Sequence, residues 1–128
     1  MLNLKDPSLL REQCFINGEW ADAADGSTIT VTNPATGEQV GKVPHMGEAE
    51  TRHAIDAANA AWPAWRKMTA KDRGALLRKW SDLMLANADD LALIMTAEQG
   101  KPLAEAKGEV TYAASFLDWF AEEGKRVA

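Results

Sequence analysis

The sequence predicts an α+β fold in which two short β ribbons precede four helices. Two observations support this prediction. Up to residue 44 the apolar residues lie in short, largely alternating runs rich in β-branched side chains, which is typical of strands. From residue 47 onward they recur at helical spacing, and glycine and proline residues separate the successive runs. We therefore expect β ribbons over about 14–44 and helices over about 47–124.

The first ribbon is predicted around Asn17-Gly18, the dipeptide that most strongly favours a two-residue hairpin turn. Residues 14–16 and 19–20 flank this turn as strands. The second ribbon pairs the β-branched run 28–32 with residues 40–43. An Asn-Pro turn is expected to connect these two strands, because both residue types favour turns.

The first predicted helix has an apolar face and a proline within it. Ile55, Ala58, Trp62 and Trp65 are spaced so that they share one side of a helix. Pro63 lacks a backbone donor, so we expect the helix to kink or to end near Trp62.

Capping signals delimit the second and third helices. Thr69 is the predicted N-cap of the second helix, with Asp72 as its reciprocal partner. Asp89 and Asp90 favour the start of the third helix through their charge at its positive end. Gly100 can adopt the left-handed conformation that ends it. We expect the second helix to bury an apolar stripe, with Trp62 and Trp65 of the first helix and Trp80 of the second as core anchors. The stripe comprises Leu76, Leu77, Trp80, Leu83 and Met84.

The fourth helix, from about Pro102 to about Gly124, is apolar on almost every side of its second half. The residues responsible are Val110, Tyr112, Ala113, Ala114, Phe116, Leu117, Trp119 and Phe120. A helix of this kind has to be covered on most sides. The preceding helices can cover one or two faces, so we expect protein outside this chain, or a partner, to cover the rest. The chain is therefore predicted to be the N-terminal portion of something larger.

Composition and charge argue against several classes of function. The 128 residues carry a formal charge of -5 with acidic and basic residues interspersed, so nucleic acid is not an expected partner. The apolar runs are far shorter than the roughly 20 residues that a membrane helix needs. No secretory signal is evident at the start of the sequence. The single cysteine, Cys14, excludes an internal disulfide and suits a reducing cytoplasm.

No residue pattern indicates a catalytic, metal or phosphate site. Cys14 has no base near it in sequence, so we expect a buried apolar residue rather than a nucleophile. His45 and His53 are too few for a zinc site. The sequence has neither G-x-G-x-x-G nor a P-loop. Glu48 and Glu50 are interpreted as part of a solvated helix face.

Six short motifs, in their order and spacing, resemble the aldehyde dehydrogenase superfamily over essentially the whole chain. They are Phe15-Ile-Asn-Gly-Glu-Trp20, Asn33-Pro-Ala-Thr-Gly-Glu38, Ala54-Ile-Asp-Ala-Ala58, Trp62-Pro-Ala-Trp65, Glu98-Gln-Gly-Lys-Pro102 and Trp119-Phe-Ala-Glu-Glu-Gly124. Within the superfamily, residues 96–109 and 112–116 look most like bacterial succinate-semialdehyde dehydrogenases. Relatives that act on glutarate semialdehyde share much of this similarity, so both substrates stay open.

The resemblance implies that residues 1–128 form the N-terminal portion of an NAD(P)-binding domain, packed against a Rossmann-like sheet. In this family a cysteine thiolate attacks the aldehyde, hydride passes to NAD or NADP, and a glutamate activates the water that releases the acid. None of those catalytic or cofactor-binding residues maps onto this chain, and the catalytic and oligomerisation domains lie outside it. The resemblance thus implies a cytoplasmic, homo-oligomeric oxidoreductase whose N-terminal segment alone is inactive and binds no cofactor.

Two minor sites also follow from the resemblance. Gly108 and Tyr112 match the helix that lines the family's substrate tunnel, although close helix packing would equally explain the glycine. Some members hold a structural monovalent cation, and the matching positions are the backbone carbonyls of Val31 and Thr32 and the carboxylate of Glu98. Glu98 would equally suit a surface position at a helix end.

A second hypothesis belongs to a different class. The chain would be a free-standing helical interaction module that binds a partner, or a second copy of itself, through its aromatic last helix. This alternative requires no active site.

Overall fold

The computed structural model describes residues 2–126 and shows two β ribbons followed by four helices, as the sequence predicts. A single 3-10 turn, Pro7–Leu9, precedes the ribbons. The strands are β1 (Cys14–Ile16), β2 (Glu19–Ala21), β3 (Thr28–Thr32) and β4 (Gln39–Pro44). The helices are α1 (Glu48–Lys67), α2 (Ala70–Ala86), α3 (Ala88–Gln99) and α4 (Leu103–Glu123).

The β1–β2 ribbon is the predicted hairpin, closed by Asn17 and Gly18. Both turn residues have positive φ, 52° and 80°, which is the backbone that this dipeptide favours. The strands pair antiparallel, with Phe15 opposite Trp20. Their rings lie 5.1 Å apart between centroids, and the Arg11 guanidinium lies 4.6 Å from the centre of the tryptophan ring. The hairpin is thus stabilised by a cross-strand aromatic pair on an exposed surface.

The β3–β4 ribbon is also antiparallel and is interrupted by a bulge between Val31 and Thr32. The turn between its strands is organised by Asn33. Its carbonyl oxygen accepts the Gly37 N–H at 2.8 Å, and its N–H donates to the Glu38 carbonyl at 2.8 Å. The Asn33 side chain accepts the N–H of Ala35 at 2.9 Å, an Asx turn of the kind that Asn-Pro favours.

Helix α1 continues through Pro63 to Lys67, so the prediction of an end near Trp62 was wrong. The proline lies close to the last turn, and the Asn59 carbonyl that it leaves without a helical donor is on an exposed residue, where water can bind it. The expected burial was also wrong. No residue of α1 is buried within the described chain, and Ile55 and Trp62 are among the exposed apolar side chains.

Helix α2 begins as predicted, but its expected apolar stripe is not its buried face. The Thr69 hydroxyl oxygen accepts the Asp72 N–H at 3.1 Å and donates its own proton to the Asp72 carboxylate at 2.7 Å. Leu76, Trp80 and Leu83 are exposed, with Trp80 58% exposed, while the other two stripe residues are half-buried. The periodicity identified residues that share a face, but residues 2–126 leave most of that face uncovered.

Small residues make the contact between α2 and α4. Gly74 lies so close to α4 that a Cβ added there would be 2.6 Å from the Ala121 carbonyl oxygen. The buried Ser81 hydroxyl donates to the Ala114 carbonyl at 3.0 Å. Beside this contact, Arg78 forms ion pairs with two carboxylates of α4 at 2.6 and 2.8 Å. The two helices therefore pack backbone to backbone rather than through large side chains.

The core of the described residues is correspondingly made of small side chains. Its apolar members are Ala23, Ala92, Ala97, Ala106, Val110, Ala114 and Ala121. Four of these lie on one side of α4, which is the side against α2 and α3. Within residues 2–126, no large side chain is fully buried. A core of this size leaves fourteen large apolar side chains exposed, where they lack the burial that normally stabilises a domain.

The turn between α3 and α4 was predicted correctly. Gly100 ends α3 with φ of 79°, and its N–H donates to the Thr96 carbonyl at 2.9 Å. Pro34 of the β3–β4 turn packs against this glycine, so close that an added Cβ would lie 2.9 Å from the proline ring. The left-handed backbone and the close approach of Pro34 both require glycine here.

The outer side of α4 carries an aromatic face, which consists of Tyr112, Phe116, Trp119 and Phe120. All four are exposed, with Tyr112 62% and Trp119 64% exposed. The expectation that the preceding part of the chain leaves much of this helix uncovered is therefore confirmed. None of the helices described here is long and apolar enough to span a membrane.

Candidate functional site

The two residues predicted to line a substrate tunnel lie one turn apart on the solvent side of α4. Gly108 is exposed, and the described residues leave open space to at least 4 Å around the position of an added Cβ. Close packing against another part of this chain therefore does not explain the glycine. The Tyr112 ring meets the Phe116 ring edge to face, with centroids 4.8 Å apart and planes at 76°. The site therefore consists of an exposed aromatic wall, formed by Tyr112 and Phe116, next to the open space at Gly108.

Tyr112 and Phe116, which the sequence allowed either as core residues or as the lining of a pocket, adjoin a shallow apolar groove. Its volume is about 390 Å³, and it is lined by Ser115, Phe116, Trp119 and Phe120. The Ser115 hydroxyl donates to the Tyr112 carbonyl at 2.6 Å, so this polar group is already satisfied within the helix. The groove thus presents mainly aromatic surface, which suits the methylene chain of a small substrate or an apolar side chain. Periodicity placed these residues on the helix but did not indicate a concave surface.

The residues proposed for cation binding lie in two segments that the fold brings together. Val31 and Thr32 flank the bulge in β3, and a bulge leaves backbone groups free of the strand ladder. Glu98 is exposed in the last turn of α3. The contact between Pro34 and Gly100 joins these two segments.

A small cavity of about 190 Å³ lies beside this junction. Its lining residues are Leu2, Asn33, Glu38, Gln39, Val40 and Ala97. Within residues 2–126 no group of three or more His, Cys, Asp and Glu side chains is placed to hold a metal ion. A cation here would therefore depend on backbone carbonyls, which are ligands suited to a hard monovalent or divalent ion.

The remaining chemistry-bearing side chains have structural surroundings. Cys14 is half-buried in β1, and His53 is exposed on α1. Glu48 forms an exposed ion pair with Arg52 at 2.7 Å. Glu50 caps α1, and the backbone hydrogen bonds that its carboxylate accepts at the helix start, including those from Ala24 and Gly47, lower its pKa. These arrangements explain the side chains without any catalytic role.

A charged cluster at the start of α3 was only partly anticipated. Asp90 is 3% exposed, and its carboxylate accepts the backbone N–H groups of Lys5 at 3.0 Å and Asp6 at 2.8 Å. Asp89 pairs with the ammonium groups of Lys107 at 2.7 Å and Lys5 at 3.0 Å. The hydrogen bonds donated by Lys107 and Lys5 lower the pKa of Asp89 to about 2. The sequence indicated helix-start charges here but carried no signal for their partners.

Comparisons with known proteins agree with the motifs. The chain is 66% identical to a glutarate-semialdehyde dehydrogenase of Pseudomonas putida and 63% identical to a succinate-semialdehyde dehydrogenase [NADP(+)] of Escherichia coli, each over 98% of its length. A crystal structure of an aldehyde dehydrogenase from Brucella melitensis biovar abortus superposes on the whole chain with a TM-score of 0.98 at 64% identity. The chain spans 26% of the length of each of these three proteins.

The structural neighbours place this chain at the N-terminal part of the longer proteins, where β ribbons and four helices occur in the same order. The profile of the aldehyde dehydrogenase family matches residues 20–128, which is most of the sequence. The chain therefore belongs to the aldehyde dehydrogenase family.

Proposed function

We propose that the intact protein oxidises a short semialdehyde, of succinate or of glutarate, to the corresponding dicarboxylic acid with NAD or NADP. The observation that carries this proposal is the identity of 66% and 63% to relatives named for these two substrates. The name of the Escherichia coli relative specifies NADP(+), which supports that cofactor without excluding NAD.

Residues 1–128 serve as a structural and substrate-guiding part of that enzyme. They contain no glycine-rich phosphate motif, so the described residues do not fit a nicotinamide cofactor. The single cysteine lies in a strand with no base beside it in sequence, so it does not fit a catalytic thiolate. What they supply is apolar surface. We place Gly108, Tyr112 and Phe116 at the wall of the aldehyde channel, where an aromatic surface excludes water and accommodates the methylene groups of the substrate.

The test of this assignment uses the intact enzyme with both semialdehydes and both cofactors, following the absorbance of the reduced nicotinamide. Turnover with succinate or glutarate semialdehyde at a higher kcat/KM than with unrelated aldehydes is expected. Absence of turnover with both substrates would refute the proposed activity. Tyr112→Ala should raise KM for the semialdehyde, because it removes the aromatic ring proposed to line the channel.

The same proposal includes three further features of the intact protein. It is a homo-oligomer, because family members assemble through strands outside this chain. It is cytoplasmic, which agrees with the single cysteine among these 128 residues. It holds a structural monovalent cation at the carbonyls of Val31 and Thr32 and the carboxylate of Glu98, and replacing sodium or potassium with a large organic cation should then lower the unfolding temperature.

The excised segment should be inactive. Incubating the purified 128-residue chain with semialdehyde and NADP, and watching for reduced cofactor, tests this directly. Clear turnover would refute the argument that the catalytic residues lie elsewhere in the polypeptide.

A further inference from the structure

The first described residues run along α3 and end over a cavity. Leu2 lines the small cavity beside Ala97, near the end of α3, while Lys5 and Asp6 bind Asp90 near its start. The expected lengths agree with a segment that is extended over residues 2–4 and bends at Lys5 and Asp6. Seven residues of helix rise about 10 Å, and four extended residues span about 13 Å. Residues 2–6 therefore lie antiparallel to α3, from its end back to its beginning.

This segment has one side against the protein and one side in solvent. Leu2 and Leu4 are half-buried, whereas Asn3 and Lys5 are exposed, which is the alternation of an extended chain lying on a surface. The apolar side of the segment consists of two half-buried leucines, and Leu2 borders the cavity together with the small side chain of Ala97. Apolar burial alone therefore holds the segment weakly.

The specific attachment is the Asp90 carboxylate. It is 3% exposed and each of its oxygens accepts one backbone N–H, from Lys5 and from Asp6. Hydrogen bonds to a charged acceptor are stronger than those between neutral groups. Because the donors are backbone amides, the attachment does not depend on which side chains the segment carries at these two positions.

A second attachment links the segment to α4. The exposed Asp89 carboxylate binds the ammonium group of Lys5 and that of Lys107, so the segment, α3 and α4 meet at one charged point. Exposed ion pairs contribute little individually. This pair is therefore expected to support the Asp90 attachment rather than to replace it.

We propose that residues 2–6 form a lid over one side of the cavity between the β3–β4 turn and the end of α3, with Leu2 as the residue that borders the cavity, and that Asp90 is the latch that holds this lid closed. The lid opens as a local unit, without unfolding of the helices, because its specific attachment is one buried carboxylate. Opening removes Leu2 from the wall shared with Asn33, Val40 and Ala97 and so widens the access of solvent to the cavity.

Hydrogen exchange of the intact polypeptide tests this proposal. In the wild-type protein, the amides of Lys5 and Asp6 should exchange through local opening, at least tenfold faster than the buried amides of α4. Asp90→Asn should accelerate exchange at these two positions by roughly tenfold to a hundredfold, since one or both charge-assisted bonds are lost. Asp89→Asn should have a smaller effect, and the exposed control Asp56→Asn should have none.

A second measurement reports on the cavity itself. In a Cys14→Ser background, Val40→Cys should react with a thiol reagent faster when Asp90→Asn is also present, with the rate followed on the peptide that carries residue 40 so that other cysteines of the polypeptide do not contribute. Asp56→Asn should not change that rate. Three results would overturn the proposal. These are wild-type amides at residues 5 and 6 as protected as those of α4, unchanged exchange there in Asp90→Asn, or a uniform rise over all helices, which would make Asp90 a support of the whole fold.

Discussion

Replacing Gly74 with alanine tests the central packing feature of this chain, the close approach of α2 and α4. The added Cβ would lie 2.6 Å from the Ala121 carbonyl oxygen and 3.1 Å from Cε of Lys125. The lysine can move at little cost, but the carbonyl belongs to the backbone of a helix. The two helices must therefore separate at this point, which loosens the neighbouring contacts of Ser81 and Ala114.

The expected change in the free energy of unfolding of Gly74→Ala is the difference between two opposing effects. Overpacking of a tight contact costs about 1–3 kcal/mol. Alanine in place of glycine inside a helix stabilises by about 1 kcal/mol. We expect a net loss of up to about 2 kcal/mol in the free energy of unfolding, because the clash with a backbone atom places the overpacking cost in the upper part of its range. The unfolding temperature should fall by several degrees, at about 2–8 °C per kcal/mol for domains of ordinary size.

The matched control is Gly108→Ala, a glycine-to-alanine change within α4. An added Cβ there meets open space among the described residues. Its helix-propensity gain is therefore not offset by a clash within this chain, and in the excised segment it should stabilise by about 0.5–1 kcal/mol. Thermal or urea unfolding monitored by circular dichroism measures both variants in the excised segment. If both changes stabilise the segment equally, the reasoning about backbone-to-backbone packing of α2 and α4 is wrong.

Three further predictions concern other features. Ser81→Ala should destabilise by about 0.5–1.5 kcal/mol, because it removes a buried hydrogen bond to Ala114, and urea unfolding measures the change. The pKa of Asp89 is lowered in the folded state from 3.8 to about 2. The ionised carboxylate therefore contributes fully to stability above about pH 4, and this contribution is lost as the pH falls towards about 2. In an acid titration, the unfolding curves of wild type and Asp89→Asn should converge at low pH. The excised segment should self-associate, because association covers its exposed aromatic face. Size-exclusion chromatography at high concentration should then show a dimer or larger species. Elution as a monomer at high concentration would contradict this prediction.

Local signals in the sequence were reliable where a short motif determines the backbone. The Asn17-Gly18 hairpin, the Thr69 cap and the Gly100 stop occur as predicted, since each depends on the conformational preferences of one or two residues. Helix α1 does not end at Pro63 as one of the two expected outcomes required, because a proline near the end of an exposed helix costs less than one in a buried interior.

Predictions of burial were less reliable, for a physical reason. Helical periodicity identifies side chains that share a face, but burial depends on what lies against that face. Trp62 and Trp80 were expected in a core and are exposed, whereas the face of α2 that packs on α4 carries Gly74 and Ser81. Glycine and serine do not contribute to a hydrophobic periodicity, yet small residues such as these allow the closest approach of two helices.

The order of the strands and helices, the positions of the turns and, through six spaced motifs, the family follow from the amino-acid sequence alone. The carboxylate that binds Lys5 and Asp6, and the two segments that surround the small cavity, could be identified from the folded structure alone. The reason is distance along the chain. Asp90 and Lys5 are 85 residues apart in sequence, so their contact depends on how the elements between them pack. No short sequence motif can therefore predict this hydrogen bond.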